Sequence, residues 1–404
     1  MTTGPSWGVY GQRFSTDGAR VGTEFQVNTA NSGTQWYPQV ASFLDGGFVV
    51  VWWSGNSPNA PIIAQRYDAL GNKIGNEIQV VDTGGDPSVV TLADGGFVVT
   101  YESSSNDTES RLDVFATRFN SSGEIVGNDF KVNTFTTDNQ WFPTIAALAD
   151  GGLVIVWTSY RIPDGTGYDV KGQIYNAMGE AKGGEILINT SAPTIFPVVS
   201  ALPDGGFVVT WRNDGQDGSS YGVAGRVFDS SGNQRSDEFQ INSYTQGEQA
   251  NPAIAVLSNG SFVVAWSSEQ SDRLGTDIVL AKFQPPNNSP SLLNPILDQN
   301  NTEDAAFAFQ FATNVFIDPD LGDTLTYAAT LANGNALPSW LSFNAVTQTF
   351  SGTPDNSNVG TLTVKVTVTD GSSASVSDEF DITVANVNDA PTTTPVTLTT
   401  IAED

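Results

Sequence analysis

The chain has 404 residues, with no cysteine and no histidine, and its 16 Lys plus Arg face 44 Asp plus Glu, a formal net charge of −28. Lacking both residue types, it has no disulfide, no thiol chemistry, no imidazole-based triad and none of the usual zinc or iron sites. So acidic a balance excludes nucleic acid as a partner, disfavours anionic lipid and suits divalent cations. No run approaches the roughly 18 apolar residues of a membrane span, so no direct membrane insertion is expected. The opening stretch Met1 to Trp7 lacks the basic and apolar pattern of a signal peptide, which leads to the expectation of a segment from a longer exported protein.

From near Trp7 to Phe283 the sequence repeats with a period of about 50 residues. Asp-Gly-Gly-Phe-Val-Val begins at Asp45, Asp94 and Asp204, with variants from Asp150 and Asn259. Seven residues after each start stands an aromatic: Trp52, Tyr101, Trp157, Trp211 or Trp266. A proline precedes each copy: Pro38, Pro87, Pro143, Pro197 or Pro252. Each copy reads as a hairpin, with a short apolar strand and a two-residue Asp-Gly turn of positive φ. The returning strand has so little polar alternation that it suits burial on both faces.

A second hairpin follows each first one. Its opening strand ends in an aromatic (Phe14, Tyr67, Phe119, Tyr175, Phe228), and a turn glycine comes four residues later. Its closing strand opens on an acid and a β-former, as in Glu24-Phe25 and Glu238-Phe239. Four short strands per unit is the arithmetic of a propeller blade. The five units predict an all-β fold that begins with a β-propeller of five four-stranded blades over residues 1–284. Strand 277–283 is expected to close the ring near the N-terminal strands, an open or larger array being the alternative. The repeated tryptophans are expected between blades. Trp36 and Trp141 lie in loops that lead into a unit, where packing on the next blade competes with contact to a sugar or protein ligand. No residue that differs between blades stands out as a carrier of chemistry, so the sequence reading is non-catalytic.

Gly-Gln-Arg-Phe from Gly11, Glu-Phe-Gln-Val-Asn-Thr from Glu24 and the Asp-Gly-Gly series resemble a repeat of very large bacterial surface and secreted proteins. Many of those proteins carry hemolysin-type calcium repeats elsewhere. The resemblance covers about residues 7–284 and implies no defined activity.

Composition shifts at Pro285-Pro286-Asn287-Asn288-Ser289-Pro290, a stiff polar linker. Short alternating strands follow, as at 306–312 and 361–368, and suggest an Ig-like sandwich over 285–391 with Trp340 in its core. Acids cluster at strand ends: Asp318, Asp320 and Asp323 in one loop, Asp370 in another, and Asn386, Asn388 and Asp389 at the domain exit. Gathered carboxylates repel one another and suit a calcium ion, although Asp and Asn also favour ordinary turns.

Residues 286–391 resemble a dystroglycan-type cadherin-like domain, also described as an Ig-like domain of bacterial surface proteins. Asp318, Asp320 and Gly322 match the cadherin Asp-x-Asp-x-Gly loop, and Asp370 matches the acid of the later loop. Asn386, Asn388, Asp389 and Pro391 resemble the Asp-x-Asn-Asp-Asn-x-Pro linker, and Glu303 the early glutamate that shares its ions. The linker lacks its first Asp and no Asp-Arg-Glu occurs, so fewer or weaker ions than in true cadherins follow. The resemblance implies Ca2+ near Asn288, Asp318, Asp320, Asp323 and Asp370 at one end, and near Glu303, Asn386, Asn388 and Asp389 at the other. Residues 392–404 repeat the domain's opening and are read as the start of a second copy.

The functional expectation is a non-catalytic extracellular or cell-surface adhesion segment. Its propeller would bind a glycan or protein ligand, and its sandwich would form a calcium-stiffened stalk continued by further tandem domains. The alternatives are a carbohydrate-active enzyme, hydrolase or lyase, on the propeller face, and a purely structural spacer.

Overall fold

The computed structural model describes residues 7–29, 33–55, 60–104, 111–136, 138–161, 167–190, 193–269, 276–320 and 323–390. The chain forms two compact units, Met1–Pro286 and Asn287–Asp404. The described residues contain strands and one short 3-10 helix, Asn356–Asn358. Gly322, Pro391 and the stretch 392–404, all singled out in the sequence, lie outside the described residues.

The first unit is a series of antiparallel sheets. It opens with the hairpin β1 (Tyr10–Phe14) and β2 (Arg20–Gln26). Four four-stranded blades follow. The first is β3 (Gln35–Ser42), β4 (Phe48–Ser54), β5 (Ile62–Tyr67) and β6 (Lys73–Val81). The second is β7 (Gly85–Thr91), β8 (Phe97–Ser104), β9 (Leu112–Phe119) and β10 (Phe130–Lys131). The third is β11 (Gln140–Ala147), β12 (Leu153–Arg161), β13 (Gly167–Tyr175) and β14 (Ala181–Leu187). The fourth is β15 (Thr194–Ala201), β16 (Phe207–Asp214), β17 (Tyr221–Phe228) and β18 (Phe239–Gln240). A fifth has three strands, β19 (Gln249–Val256), β20 (Phe262–Glu269) and β21 (Thr276–Phe283). The first strands β3, β7, β11, β15 and β19 abut one another in turn. Those of blades 2 to 5 line an open cavity of about 640 Å3. Among the described residues the repeat thus forms four complete four-stranded blades, a three-stranded fifth sheet and an opening hairpin, where five four-stranded blades are predicted.

Each second strand carries the apolar run that the sequence marks for burial on both faces. In β4, Val49, Val50, Val51 and Trp52 are all buried. Trp157 and Trp211 have no exposed surface, and Trp157 donates its indole N–H to Gln140 at 3.0 Å. The Val-Asn or Ile-Asn phrase also gains a cause. Asn28, Asn133, Asn189 and Asn242 are buried, and each side-chain oxygen accepts the backbone N–H of Val9, Val114, Val170 or Val223 at 2.7–2.8 Å. A buried N–H left unpaired would be costly, so this contact fixes the fourth strand to the third.

Two expectations are corrected. The Asp-Gly turn has only its glycine at positive φ, as at Gly46 (φ 86°). The Asp45 carboxylate instead accepts the Gly47 N–H at 2.8 Å, and Gly46 N–H bonds Phe43 O. The turn is a wider one pinned by an Asp side chain. Strand β21 pairs with β20 and not with the N-terminal strands, and β1 pairs only with β2.

The second unit is a sandwich. One sheet has the order β23 (Gln299–Thr302), β30 (Ser375–Ala385), β29 (Gly360–Thr369) and β26 (Thr326–Leu331), with β23 parallel to β30. The other has β24 (Phe307–Gln310), β28 (Thr349–Gly352) and β27 (Leu341–Asn344). A short pair, β22 (Ser291–Leu292) with β25 (Phe316–Ile317), completes it. Val364, Val366 and Val368 alternate inward from β29 onto Phe350, Phe380 and Ile382. Trp340 is half-buried against this core and meets Phe307 edge-on at 6.3 Å.

Candidate active site and acidic clusters

Each first strand of the propeller carries a bulge at the residue before its proline. The five residues there, Tyr37, Asp86, Phe142, Phe196 and Asn251, all have positive φ, from 42° to 58°. Left-handed backbone is costly for such side chains, and proline disfavours helical geometry in the residue before it. The bulge breaks the register with the second strand in every blade. It brings one side chain per blade to the same end of the unit, and Phe142 and Phe196 of neighbouring blades meet at 4.3 Å.

At this level the blades differ. The strand residue just before the bulge is Trp36, Gly85, Trp141, Ile195 or Ala250, and its partners on the second strand are Trp53, Glu102, Thr158, Arg212 and Ser267. Blade 2 thus holds two acids, Asp86 and Glu102, where blades 1 and 3 hold aromatics or threonine. The glycine at 85 makes the room. A Cβ there would stand 3.1 Å from Glu102 Oε1 and 3.3 Å from its Cγ. Glu102 Oε2 accepts the backbone N–H of Phe142 at 3.1 Å, which points the carboxyl across to blade 3.

Both acids are half-buried. Burial pushes the Asp86 carboxyl up to about 6. Burial, and then the charge of Asp86, push Glu102 up to about 8, against the pull of the Phe142 N–H. At neutral pH the pair therefore offers one proton donor and one carboxylate. Aromatics stand at the same strand level on the neighbouring blades. Tyr37, exposed, stacks on Trp53 at 6.2 Å, and Trp141 lies 5.8 Å from Tyr168. On blade 4 the Arg212 guanidinium sits over Tyr221 at 4.0 Å and Phe196 at 5.0 Å. Sequence reading passed over Asp86, Glu102 and Arg212. Aligning the five units on their prolines would have set Asp86 against Tyr37, Phe142, Phe196 and Asn251.

The metal ligands expected from sequence lie in the second unit. Asp318, Asp323 and Asp370 bring carboxylate oxygens within 4.8 Å of one another. Asp320 is turned to the linker: Asn288 donates its backbone N–H at 2.6 Å and its amide at 2.5 Å. Asp370 is buried, and its oxygens accept from the Asn287 amide, Ser372 N–H and Ala374 N–H. These bonds, the Asn287 amide first, hold its carboxyl below the usual range. Asp318 is pushed up by burial and by the charges of Asp320, Asp323 and Asp370, and its Oδ2 is buried with no partner among the described residues. Such a donor set fits a hard cation with oxygen ligands.

Strands β29 and β30 run antiparallel, so Asp370, after β29, and Asn386, after β30, lie at opposite ends of the sheet. At the Asn386 end Glu303 is buried, and its Oε1 accepts the Asn386 amide at 2.8 Å and the Val387 N–H at 2.6 Å. Asp389 accepts the Asn356 amide at 2.8 Å, and Asn388 is exposed.

The first unit is thus a propeller and the second an Ig-like domain. The family model described as "Putative Ig domain" matches residues 289–385. No curated protein matches the chain. Similar solved structures include a Dyadobacter fermentans protein of unknown function, 10% identical with TM-score 0.47, over 62% of this chain and 79% of that one. They include a Penicillium chrysogenum alpha-L-arabinanase complexed with arabinobiose, 14% identical with TM-score 0.43, over 58% and 77%. A thermostable family-43 glycoside hydrolase is 12% identical with TM-score 0.40, over 71% and 97%. The expectation of a non-catalytic module is corrected: it rested on finding no residue of a single blade able to carry chemistry, and Asp86 and Glu102 are two such residues on blade 2. At these scores the neighbours lend the chain neither substrate nor mechanism. No helix among the described residues is long and apolar enough to cross a membrane.

Proposed function

We propose that the propeller is a carbohydrate-active enzyme that hydrolyses a glycan laid across the bulge end of the ring. The observation that carries this reading is the Asp86–Glu102 pair, with Glu102 pushed up to about 8 in a half-buried, aromatic setting. Glycoside hydrolysis needs one carboxyl that keeps its proton at working pH and one carboxylate beside it. Glu102 would give its proton to the glycosidic oxygen as the C–O bond breaks. Asp86 would take a proton from the water that adds to the sugar carbon. Trp53, Tyr37 and Trp141 offer rings on which sugar faces stack.

The sandwich, in this reading, is an extracellular stalk. Asp318, Asp323 and Asp370 would hold Ca2+ at one end, with Asp320 tying Asn288 to that loop. The opposite end, at Glu303, Asn386, Asn388 and Asp389, would take a second ion and lead to further domains.

The test is release of reducing ends from a panel of neutral and acidic polysaccharides. Turnover should fall at least a hundredfold in Glu102→Gln with an unchanged melting temperature at pH 5, and Asp86→Asn should also lose turnover. Turnover that survives both substitutions would place the chemistry elsewhere.

A further inference from the structure

Among the described residues the strands of the propeller unit do not tally. First strands number five (β3, β7, β11, β15, β19), second strands five (β4, β8, β12, β16, β20) and fourth strands five (β2, β6, β10, β14, β18). Third strands number six: β5, β9, β13 and β17, with β1 at one end and β21 at the other. Register shows that β1 and β21 are equivalents. The aromatic that ends a third strand faces the opening of the second: Tyr67 faces Phe48, Phe119 faces Phe97, Phe228 faces Phe207 and Phe283 faces Phe262. In β1 this place belongs to Phe14, which is 59% exposed and has no second strand beside it.

The two differ in how well they suit a blade. Three residues before the aromatic, third strands carry Gly11, Ala64, Ala116, Gly172 or Gly225. A large fourth-strand residue faces it: Phe25, Ile78, Phe130, Ile186 or Phe239. The fit is close, since a Cβ at Gly11 would stand 2.7 Å from the Phe25 ring. Strand β21 has Leu280 there and no fourth strand. Five residues before the aromatic, Val9, Ile62, Val114, Val170 and Val223 are all buried, whereas Ile278 is 75% exposed.

Beside β1 lies an unfilled apolar groove of about 320 Å3, lined by Tyr10, Gly11, Phe25, Val40, Phe48 and Val50. Val40 is 66% exposed, while its counterparts Ile145 and Val199 on β11 and β15 are 7% exposed under the preceding blade. The groove is where a first and second strand would lie to complete the β1–β2 half-blade. We infer that the chain's own β19–β20 hairpin is its occupant. Strand β1 then replaces β21 on the free edge of β20, giving a four-stranded blade β19–β20–β1–β2 and a closed five-bladed ring with β21 released. The occupant follows from the repeat. In every complete blade the third and fourth strands are covered by a first and second strand of this type, and β19–β20 is the one such pair not already followed by a complete third–fourth hairpin. The exchange pairs Phe14 with Phe262 and Val9 with Ser267. It buries Val40 and Phe14, and it costs the β20–β21 ladder, whose outer face is already in water.

The native chain has no cysteine, so disulfide trapping is free of background. Facing residues of an antiparallel pair lie within reach of a disulfide. Val9→Cys with Ser267→Cys reports the closed ring, and Ser267→Cys with Ile278→Cys reports the open one. Under mild oxidation the 9–267 link should form within single chains, and its yield should rise severalfold when Leu280→Pro disrupts the β21 ladder. Melting before oxidation checks that each variant is folded. Two results would overturn the inference: a 267–278 link formed readily with no 9–267 link even in the Leu280→Pro background, or 9–267 links found only between chains.

Discussion

Gly85 faces Glu102 across the first hairpin of blade 2, and a Cβ at residue 85 would stand 3.1 Å from Glu102 Oε1. The glycine and the glutamate are therefore one feature, since any side chain at 85 must move the carboxyl. Gly85→Ala is expected to lower turnover about tenfold or more by displacing Glu102 from the Phe142 N–H, with at most about 1 kcal/mol lost in stability. A kinetic assay beside a urea melt separates the two. Full activity in Gly85→Ala would show that the carboxyl has latitude the hydrogen bond does not suggest.

The raised carboxyls set a pH profile. With Asp86 near 6 and Glu102 near 8, kcat/KM should be bell-shaped between those limbs, and Asp86→Asn should remove the acid limb. Stability moves the other way from an ordinary salt-bridged acid. The folded state holds the Glu102 proton more tightly than the unfolded chain, so between roughly pH 4 and pH 8 the unfolded state binds fewer protons and stability declines as pH rises. Glu102→Gln should flatten that decline and melt higher than the native protein at pH 8.5. Parallel pH–stability curves for the two would mean that Glu102 ionises as it does in water.

The blades were legible because their signals are local and periodic: a turn aspartate, a buried β-branched run, an aromatic at fixed spacing. The sandwich acids were legible for a like reason, since Asp318 and Asp320 share a loop. Asp86 and Glu102 carry no such local mark. Each looks like an ordinary polar residue until the register of β7 against β8 sets Glu102 opposite Gly85 and the bulge turns Asp86 toward the same end. The pairing of β21 was misjudged because the strand matches the third-strand pattern at its aromatic, Phe283, while Leu280 breaks it three residues earlier.

Asn133 tests the bond that fastens fourth strands to third. Its side-chain oxygen accepts the buried Val114 N–H at 2.8 Å, and its amide donates to Asp113 at 2.6 Å and to Phe135 O at 2.9 Å. Asn133→Ala leaves the Val114 N–H and the buried Asp113 carboxylate short of partners, so a loss of about 1–3 kcal/mol is expected in chemical denaturation. A loss within error would show that water replaces the amide without cost.

Calcium gives the last prediction. Burial and three neighbouring charges push Asp318 up, so the apo cluster costs the fold free energy once its acids ionise. By the same sign argument as for Glu102, that cost grows as pH rises through the Asp318 range and is relieved by acid. A divalent ion bound to the oxygens of Asp318, Asp323 and Asp370 relieves it at neutral pH. An ion that binds only the folded form stabilises by RT ln(1 + [L]/Kd), about 2.7 kcal/mol at a hundredfold excess over Kd. In a thermal melt of the whole chain, one of the transitions should therefore rise by several degrees in millimolar calcium relative to chelator, and the shift should shrink in acid as the Asp318 carboxyl, pushed up by burial and by its neighbours' charges, takes up a proton. Asp370→Asn should abolish most of the calcium shift and lower stability in chelator, because the bonds from Asn287, Ser372 and Ala374 favour the ionised Asp370 carboxylate in the folded state. Superimposable melts of the native chain in calcium and chelator would show that these acids serve the turns alone.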